Sequence, residues 1–121
     1  MDSLFIQSLA DNAGQAGQFI KETNKHYFDF YHTINGKHEC PLHDSCAVAY
    51  LLNPDLFTTI QQPVRVVTEG VDLGQTVHGN DLRAYVTDTW NNGADCTICT
   101  QVNAPAVLAL YQSTLALAGL N

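Results

Sequence analysis

A histidine and an aspartate, His43 and Asp44, stand side by side where a loop meets the apolar run that begins at Ala47. An aspartate at the start of a helix can accept backbone N–H bonds as an N-cap, or it can offer its oxygens to a hard cation in a cleft. The imidazole next to it belongs to a residue type that commonly transfers protons in enzymes. The residue types alone favour the cap, because aspartate is a preferred N-cap residue, and they leave the ligand role open.

Two tyrosines, Tyr27 and Tyr31, lie one helical turn apart and flank Phe28 and Phe30. Amphipathic stripes of this kind usually face a core, so core packing is the simpler interpretation. A tyrosine also combines a flat apolar face with a hydroxyl group, which suits the wall of a pocket for a planar heterocycle. The sequence pattern leaves both interpretations open.

Cys96 and Cys99 have the CxxC spacing of zinc and redox sites, and Cys40, His43 and Cys46 could complete a tetrahedral set. The CxxC pair lies in an alternating, strand-like run, however, in which residues three apart point to opposite faces of a sheet. A structural zinc site needs ligands that converge on one ion. The spacing therefore argues against zinc.

A nucleophilic site built on Cys46 and His43 is the other chemistry that the cysteines offer, since the start of a helix favours a thiolate. The neighbouring carboxylate of Asp44 disfavours a second negative charge, and no third group is evident to orient the imidazole. We therefore interpret Cys46 as a small buried residue of a helix.

The elements that must position these residues follow from hydrophobic periodicity and turn signals. Asn35-Gly36 is a helix stop, Asn91-Asn92-Gly93 is a hairpin signal, and Asn103 is a candidate N-cap. The pattern predicts an α+β fold with amino-terminal helices, a small and largely antiparallel sheet or hairpin, and a carboxy-terminal helix. The predicted helices cover 3–10, 15–35, 45–52, a short segment from Pro54, and 104–117, and the predicted strands cover 64–69, 75–78, 82–90 and 95–102.

Length and composition limit the function classes. With 121 residues, 45% hydrophobic and 14% charged, the chain is expected to form a single domain over 1–121. The net charge is -7 and the five basic residues are dispersed, so neither nucleic acid nor an anionic membrane is an expected partner. No apolar stretch approaches the roughly 20 residues of a membrane span, and no leader pattern is visible. We expect a soluble, cytoplasmic protein with reduced cysteines.

Residues 41–57 resemble the carboxy-terminal signature of the inosine-uridine preferring nucleoside hydrolases. The sequence Pro-Leu-His-Asp-Ser-Cys-Ala at 41–47 is similar to the family pattern Leu-His-Asp-Pro-x-Ala, and 54–57 is similar to its Pro-Asp/Glu-Leu-Phe segment. Residues 64–70 and 74–77 resemble the family's Val-x-Val-Glu-Thr-x-Gly and Gly-x-Thr-Val strands. The resemblance covers nearly the whole chain, and the predicted helix over 104–117 fits the family's end.

The resemblance implies an enzyme that hydrolyses the N-glycosidic bond of ribonucleosides to base and ribose, with a calcium ion as cofactor and a fold derived from an open α/β sheet. It implies that Asp44 is a calcium ligand that also contacts ribose. His43 would face the base and protonate the leaving group. Tyr27 and Tyr31 would contact the nucleobase.

The chain departs from the family pattern at two places. Ser45 stands where the family usually has proline, and nothing here matches the amino-terminal Asp-Thr-Asp-Pro-Gly-x-Asp-Asp segment that supplies most metal ligands. We therefore expect the carboxy-terminal portion of a nucleoside hydrolase that is inactive alone, because Asp44 by itself cannot hold calcium tightly. The alternative is a non-catalytic binding or self-association module. Both readings imply a partner, either further copies in a homo-oligomer or an amino-terminal half.

Overall fold

A computed structural model describes residues 1–79, 90 and 94–118, and these form two compact units. One unit, here called the helical unit, comprises Met1–Leu56 together with the segment that begins at Asn103. The other, the sheet unit, comprises Phe57–Val102. The architecture is α+β, as the sequence pattern predicts.

The helical unit begins with two consecutive helices, α1 (Ser3–Asn12) and α2 (Gly14–Asn35). Asp2 caps α1, because its carboxylate accepts a hydrogen bond of 2.8 Å from the backbone N–H of Phe5. The break between the first two helices that the sequence pattern predicts is present but narrower than expected: α1 continues past Ala10 to Asn12, and the chain turns at Ala13 and Gly14, where Gly14 has φ of 53°. The predicted stop at Asn35-Gly36 is confirmed, since Gly36 adopts the left-handed conformation with φ of 72°.

The contact between α1 and α2 depends on a close backbone approach at Gly17. A Cβ atom built at this position would collide with the carbonyl group of Leu9. Leu9 is completely buried, and Ala10 and Ala13 beside it are nearly so. The small residues let the two helices meet at short distance, which is how this part of the core is filled.

Two further helices complete the helical unit, α3 (His43–Leu52) and α4 (Ala104–Ala118). Pro54–Leu56 forms a 3-10 turn after α3, as its proline predicts. Asn103 caps α4 as predicted, with its side-chain oxygen accepting a 3.2 Å hydrogen bond from the N–H of Ala106. Its own N–H donates to the carbonyl of Leu56, which ties the start of α4 to that turn.

The first residues of the chain hold the segment that leads into α3. Met1 and Cys40 exchange backbone hydrogen bonds of 2.9 and 3.0 Å, and Asp2 and Glu39 form an antiparallel bridge. The hydroxyl of Ser3 donates to the carbonyl of His38 at 3.1 Å. Residues 38–40 are thus anchored directly before His43.

The described residues of the sheet unit form three antiparallel strands in the order β2-β1-β3, namely β1 (Phe57–Val66), β2 (Thr76–His78) and β3 (Asp95–Val102). The predicted strand over 64–69 is displaced, because β1 begins at Phe57 and ends at Val66. Its first half is largely exposed and polar, so pairing with β3 rather than apolar alternation defines it. The predicted strand over 82–90 and the hairpin turn at 91–93 lie outside the described residues, Trp90 excepted.

The register of β3 confirms that the CxxC pair diverges. Cys96 lies opposite Gln62 and Cys99 opposite Thr59 in a regular stretch of the ladder, so their side chains point to opposite faces. All four thiols are free: Cys40 is buried, Cys46 half-buried and the CxxC pair exposed. Among the described residues, no helix is long and apolar enough to cross a membrane.

Candidate functional site

A cavity of about 420 Å³ in the helical unit brings the start of α3 against one face of α2. Its lining includes His43 and Asp44 from the first turn of α3, Tyr27 from α2, and the loop residues Pro41 and Leu42. The volume falls within the range of about 300–1,000 Å³ that small-molecule sites occupy. The structure therefore places three of the four sequence-predicted site residues around one space.

Asp44 does not cap α3, which corrects the expectation drawn from its residue type. The helix begins at His43, so Leu42 takes the N-cap position and no side chain provides the cap hydrogen bond. As the second residue of the helix, Asp44 has an exposed carboxylate that lines the cavity. It still lies at the positive end of the helix dipole, which favours its negative charge.

His43 and Asp44 are consecutive on the helix, and both side chains are exposed. Adjacent helical residues do not face each other, so the imidazole and the carboxylate line different parts of the cavity. One atom of a ligand in this cavity can thus contact the His43 imidazole while another contacts the Asp44 carboxylate.

Tyr27 and Tyr31 form an edge-to-face pair on α2, with ring centroids 5.1 Å apart. Tyr27 lines the cavity, whereas Tyr31 does not and packs against the core. Hydrogen bonding with Tyr31 raises the pKa of Tyr27 above its ordinary value of 10.0; loss of hydration and then negative charge, including that of Asp44, act in the same direction. The Tyr27 hydroxyl therefore stays protonated at neutral pH.

Beneath the tyrosines lies a small core of Ile6, Phe28 and Cys40, against which Tyr31, Met1 and Ile20 pack. Cys40 is only 2% exposed, and burial raises the pKa of its thiol, an effect that the amino-terminal charge partly offsets. Cys40, which directly precedes Pro41 and Leu42 of the cavity lining, is thus held by packing in this core and by its backbone hydrogen bonds to Met1.

Thr23 and Asn24 also line the cavity, and the sequence interpretation missed them. They precede Tyr27 by four and three residues, so helical spacing alone could have placed them on its face. Both side chains bond back to α2: the Thr23 hydroxyl donates to Phe19 at 2.9 Å, and the Asn24 amide donates to Ile20 at 2.8 Å. They form a polar wall of fixed orientation.

The part of the chain that the structure describes contains no group of three or more His, Cys, Asp or Glu residues able to hold a metal ion. Asp44 is the one carboxylate among the described residues that line the cavity. Calcium takes six to eight oxygen ligands, most of them from carboxylates and carbonyls. This residue set does not by itself fit a tight calcium site.

Comparison with known proteins gives a consistent match. A family model described as inosine-uridine preferring nucleoside hydrolase matches residues 2–109. The chain is 28% identical over 111 residues to "Probable uridine nucleosidase 1" of Oryza sativa subsp. japonica, and this alignment covers 91% of this chain and 34% of that protein. It is 48% identical over 46 residues to "Pyrimidine-specific ribonucleoside hydrolase RihA" of Enterobacter sp. (strain 638), covering 36% of this chain and 15% of that protein.

The fold is shared with a solved plant nucleoside hydrolase, the PpNRh1 enzyme. The TM-score is 0.88 at 19% sequence identity, and the match covers 96% of this chain and 37% of that one. The chain thus spans about a third of the length of the proteins that it matches along most of its sequence.

Proposed function

The chain belongs to the inosine-uridine preferring nucleoside hydrolase family, and on that premise we propose that it forms the nucleoside-binding side of an N-ribohydrolase active site. The observation that carries the proposal is the single cavity shared by His43, Asp44 and Tyr27. Two of these residues come from the stretch that resembles the family signature, and the third comes from a different helix.

Each residue has a role that its chemistry allows. The Asp44 carboxylate accepts hydrogen bonds from ribose hydroxyls, while Tyr27 lies against the base and Tyr31 holds the Tyr27 ring from behind. His43, when protonated, gives its proton to the base nitrogen as the bond to the ribose carbon C1′ breaks. Water supplies the hydroxyl group that ends on C1′, and the proton that this water releases replaces the one that His43 gave to the base.

The site lacks a group to activate that water, because Asp44 is occupied by ribose and no second carboxylate lines the cavity among the described residues. Further carboxylates from outside the described residues would be needed, both for this step and to hold calcium beside Asp44. We therefore expect the chain alone to bind nucleosides weakly and not to hydrolyse them. The same shortage favours the second candidate function, a non-catalytic binding module.

The test is a titration of the chain with uridine and inosine in the presence of calcium chloride, followed by the NMR signals of the His43 imidazole and the tyrosine rings. We expect both sets of signals to move, and Asp44→Asn to weaken binding at least about tenfold, or 1.4 kcal/mol. Asp55→Asn, an exposed carboxylate in the 3-10 turn, is the matched control and should bind as the wild type does.

Equal binding by the wild type and Asp44→Asn would overturn the proposed role of this cavity. Reducing-sugar release from either nucleoside is measured in parallel on the chain alone. Calcium-dependent release that disappears in Asp44→Asn would show that the chain is a complete enzyme and would contradict the expected inactivity.

A further inference from the structure

Ser45, the third residue of α3, lines two cavities at once. One is the site cavity that His43 and Asp44 also line, and the other is a cavity of about 240 Å³ between α3 and α4 that Tyr111 of α4 also lines. We propose that Tyr111 is a positioning residue for the candidate site, which acts through Ser45 to fix the direction of the Asp44 carboxylate. The inference rests on the proposed function, because it concerns the carboxylate to which we assign ribose binding.

The first turn of α3 has no side-chain cap to fix it. Leu42 occupies the N-cap position without a side-chain hydrogen bond, and the first backbone bond of the helix runs from the N–H of Cys46 to the carbonyl of Leu42 at 3.0 Å. The N–H groups between these two residues have no partner within the helix, as in any first turn. A helix start without a cap is less stable than a capped one, so the direction of Asp44 depends on contacts from outside α3.

The contact from outside α3 is a side-chain hydrogen bond that joins Ser45 to Tyr111. Loss of hydration raises the pKa of Tyr111, whereas the bond with Ser45 lowers it. A hydrogen bond lowers the pKa of a phenol when it stabilises the phenolate, so the Ser45 hydroxyl is placed to donate to the Tyr111 oxygen. The residue that directly follows Asp44 is thus tied to α4.

Tyr111 is itself anchored by its surroundings. Its ring meets the ring of Phe5 on α1, with centroids 6.4 Å apart. Val107, one turn earlier on α4, and Ala49, one turn after Ser45 on α3, are 4% and 6% exposed and line the same cavity as Tyr111. Because both helices are closely packed at this level, the tyrosine hydroxyl keeps its place relative to the first turn of α3.

Tyr111 is not among the described residues that line the site cavity. Any effect of its hydroxyl on a bound nucleoside must therefore pass through another residue, and Ser45 connects it to Asp44. The effect can be separated from the packing of the ring, since Tyr111→Phe removes only the oxygen. Ser45→Ala removes the other half of the same bond, so the two variants should have the same consequence.

The first measurement is made on the full chain without ligand. Carbon NMR follows the side-chain carboxyl groups of the aspartates, with Asp44→Asn to assign the Asp44 signal. We expect Tyr111→Phe and Ser45→Ala to move this signal in the same direction, and Ser45→Thr, which keeps the hydroxyl, to leave it near the wild-type position. Ser113→Ala is the matched control, since this exposed serine of α4 donates to the carbonyl of Leu110, and it should leave the Asp44 signal unchanged.

The second measurement titrates the same variants with uridine in the presence of calcium chloride. Loss of this one hydrogen bond should weaken binding by about threefold to tenfold in either single variant. Because both substitutions remove the same bond, the double variant of Ser45 and Tyr111 should bind about as weakly as each single variant.

Three outcomes would overturn the proposal: an Asp44 signal that neither variant moves, a signal that Ser45→Ala moves and Tyr111→Phe does not, or a double variant whose loss of affinity is the product of the two single losses. If Tyr111→Phe fails to fold, the same Asp44 signal in Ser45→Ala and Ser45→Thr would overturn it. A wild type that binds no uridine while its Asp44 signal responds to Tyr111→Phe would refute the proposed function and support the positioning role.

Discussion

The ring of Tyr27 meets the ring of Tyr31 edge to face, with 73° between their planes, and the ring of Phe30 also meets Tyr31 edge to face, with 89° between their planes. Tyr31 thus contacts two rings, while Tyr27 contacts Tyr31 and lines the cavity. Edge-to-face pairs add about 0.5–1.5 kcal/mol beyond the burial of their area. The orientation of the cavity-facing tyrosine is therefore set by a residue that does not line the cavity.

Tyr31→Phe should lower the pKa of Tyr27. The change keeps the edge-to-face contact and removes the hydroxyl that is the largest cause of the raised value. NMR titration of tyrosines labelled at the ring carbon that carries the hydroxyl, with Tyr27→Phe to assign the signal, would measure it. If the titration curve of Tyr27 is the same in Tyr31→Phe as in the wild type, the hydrogen bond between the two tyrosines does not raise the pKa of Tyr27.

The free energy of unfolding should fall in alkaline solution. Tyr27, Tyr111 and Cys40 all have raised pKa values in the folded chain, against ordinary values of 10.0 for tyrosine and 9.0 for cysteine. The folded state holds these protons more tightly, so their contribution is complete below those values and is lost as the pH rises through the folded ones. Urea midpoints between pH 8 and 11 should decline, and Tyr111→Phe should make the decline shallower. If the midpoints of Tyr111→Phe decline as steeply as those of the wild type, Tyr111 does not contribute to the loss of stability.

Gly17→Ala should destabilise the helical unit by about 1–3 kcal/mol, although alanine is the better helix former. The added methyl group meets the backbone carbonyl of Leu9, which cannot move aside as a side chain can. Gln15→Ala, an exposed position on the same helix, is the control and should change stability by less than about 0.5 kcal/mol. Urea denaturation of both variants measures the difference, and equal stabilities would show that α1 and α2 are not in close contact.

The cysteines should react with iodoacetamide in a fixed order. Cys96 and Cys99 are exposed on β3, whereas Cys40 is 2% exposed and its pKa is raised by burial. The first two should be alkylated in the folded chain, and Cys40 only after denaturant is added. Mass spectrometry of peptides from timed reactions would show the order, and early modification of Cys40 would mean that the core beneath the tyrosines opens readily.

Calcium should bind the isolated chain more weakly than about 1 mM, because one carboxylate lines the described cavity and sensor sites of higher affinity use several. Isothermal titration calorimetry at low ionic strength would measure this. Binding at micromolar concentration would reveal ligands that the described residues do not supply.

The helices, the end of α2 and the start of α4 could be predicted because their signals are local. Gly36 and Asn103 mark a stop and a start by their own backbone and side-chain chemistry, and the stripe on α2 repeats every three to four residues. The first half of β1 could not be predicted, because Thr58, Thr59 and Gln61 carry no alternating apolar pattern. Their strand conformation comes from pairing with residues about forty positions away.

The site was predictable only in part for a related reason. The resemblance located His43 and Asp44, but the helix start that places Asp44 second rather than at the cap depends on the preceding loop. Spacing put Tyr27 and Tyr31 on one face of α2, while the packing of the core decides that only Tyr27 reaches the cavity. The cavity of about 240 Å³ between α3 and α4 had no sequence signal, since these two helices are separated by the whole sheet unit in sequence.

The described residues that line the site cavity all fall between Thr23 and Ser45. The loop that joins the two sides of the cavity is therefore shorter than the one that the sheet must close, and shorter loops close at a lower entropic cost. The β1–β3 ladder joins residues 32 to 45 positions apart and must close a longer loop first. We expect the cavity walls to acquire amide protection earlier than the sheet in pulsed hydrogen exchange, so that the binding surface is already shaped while the rest of the chain is still being ordered.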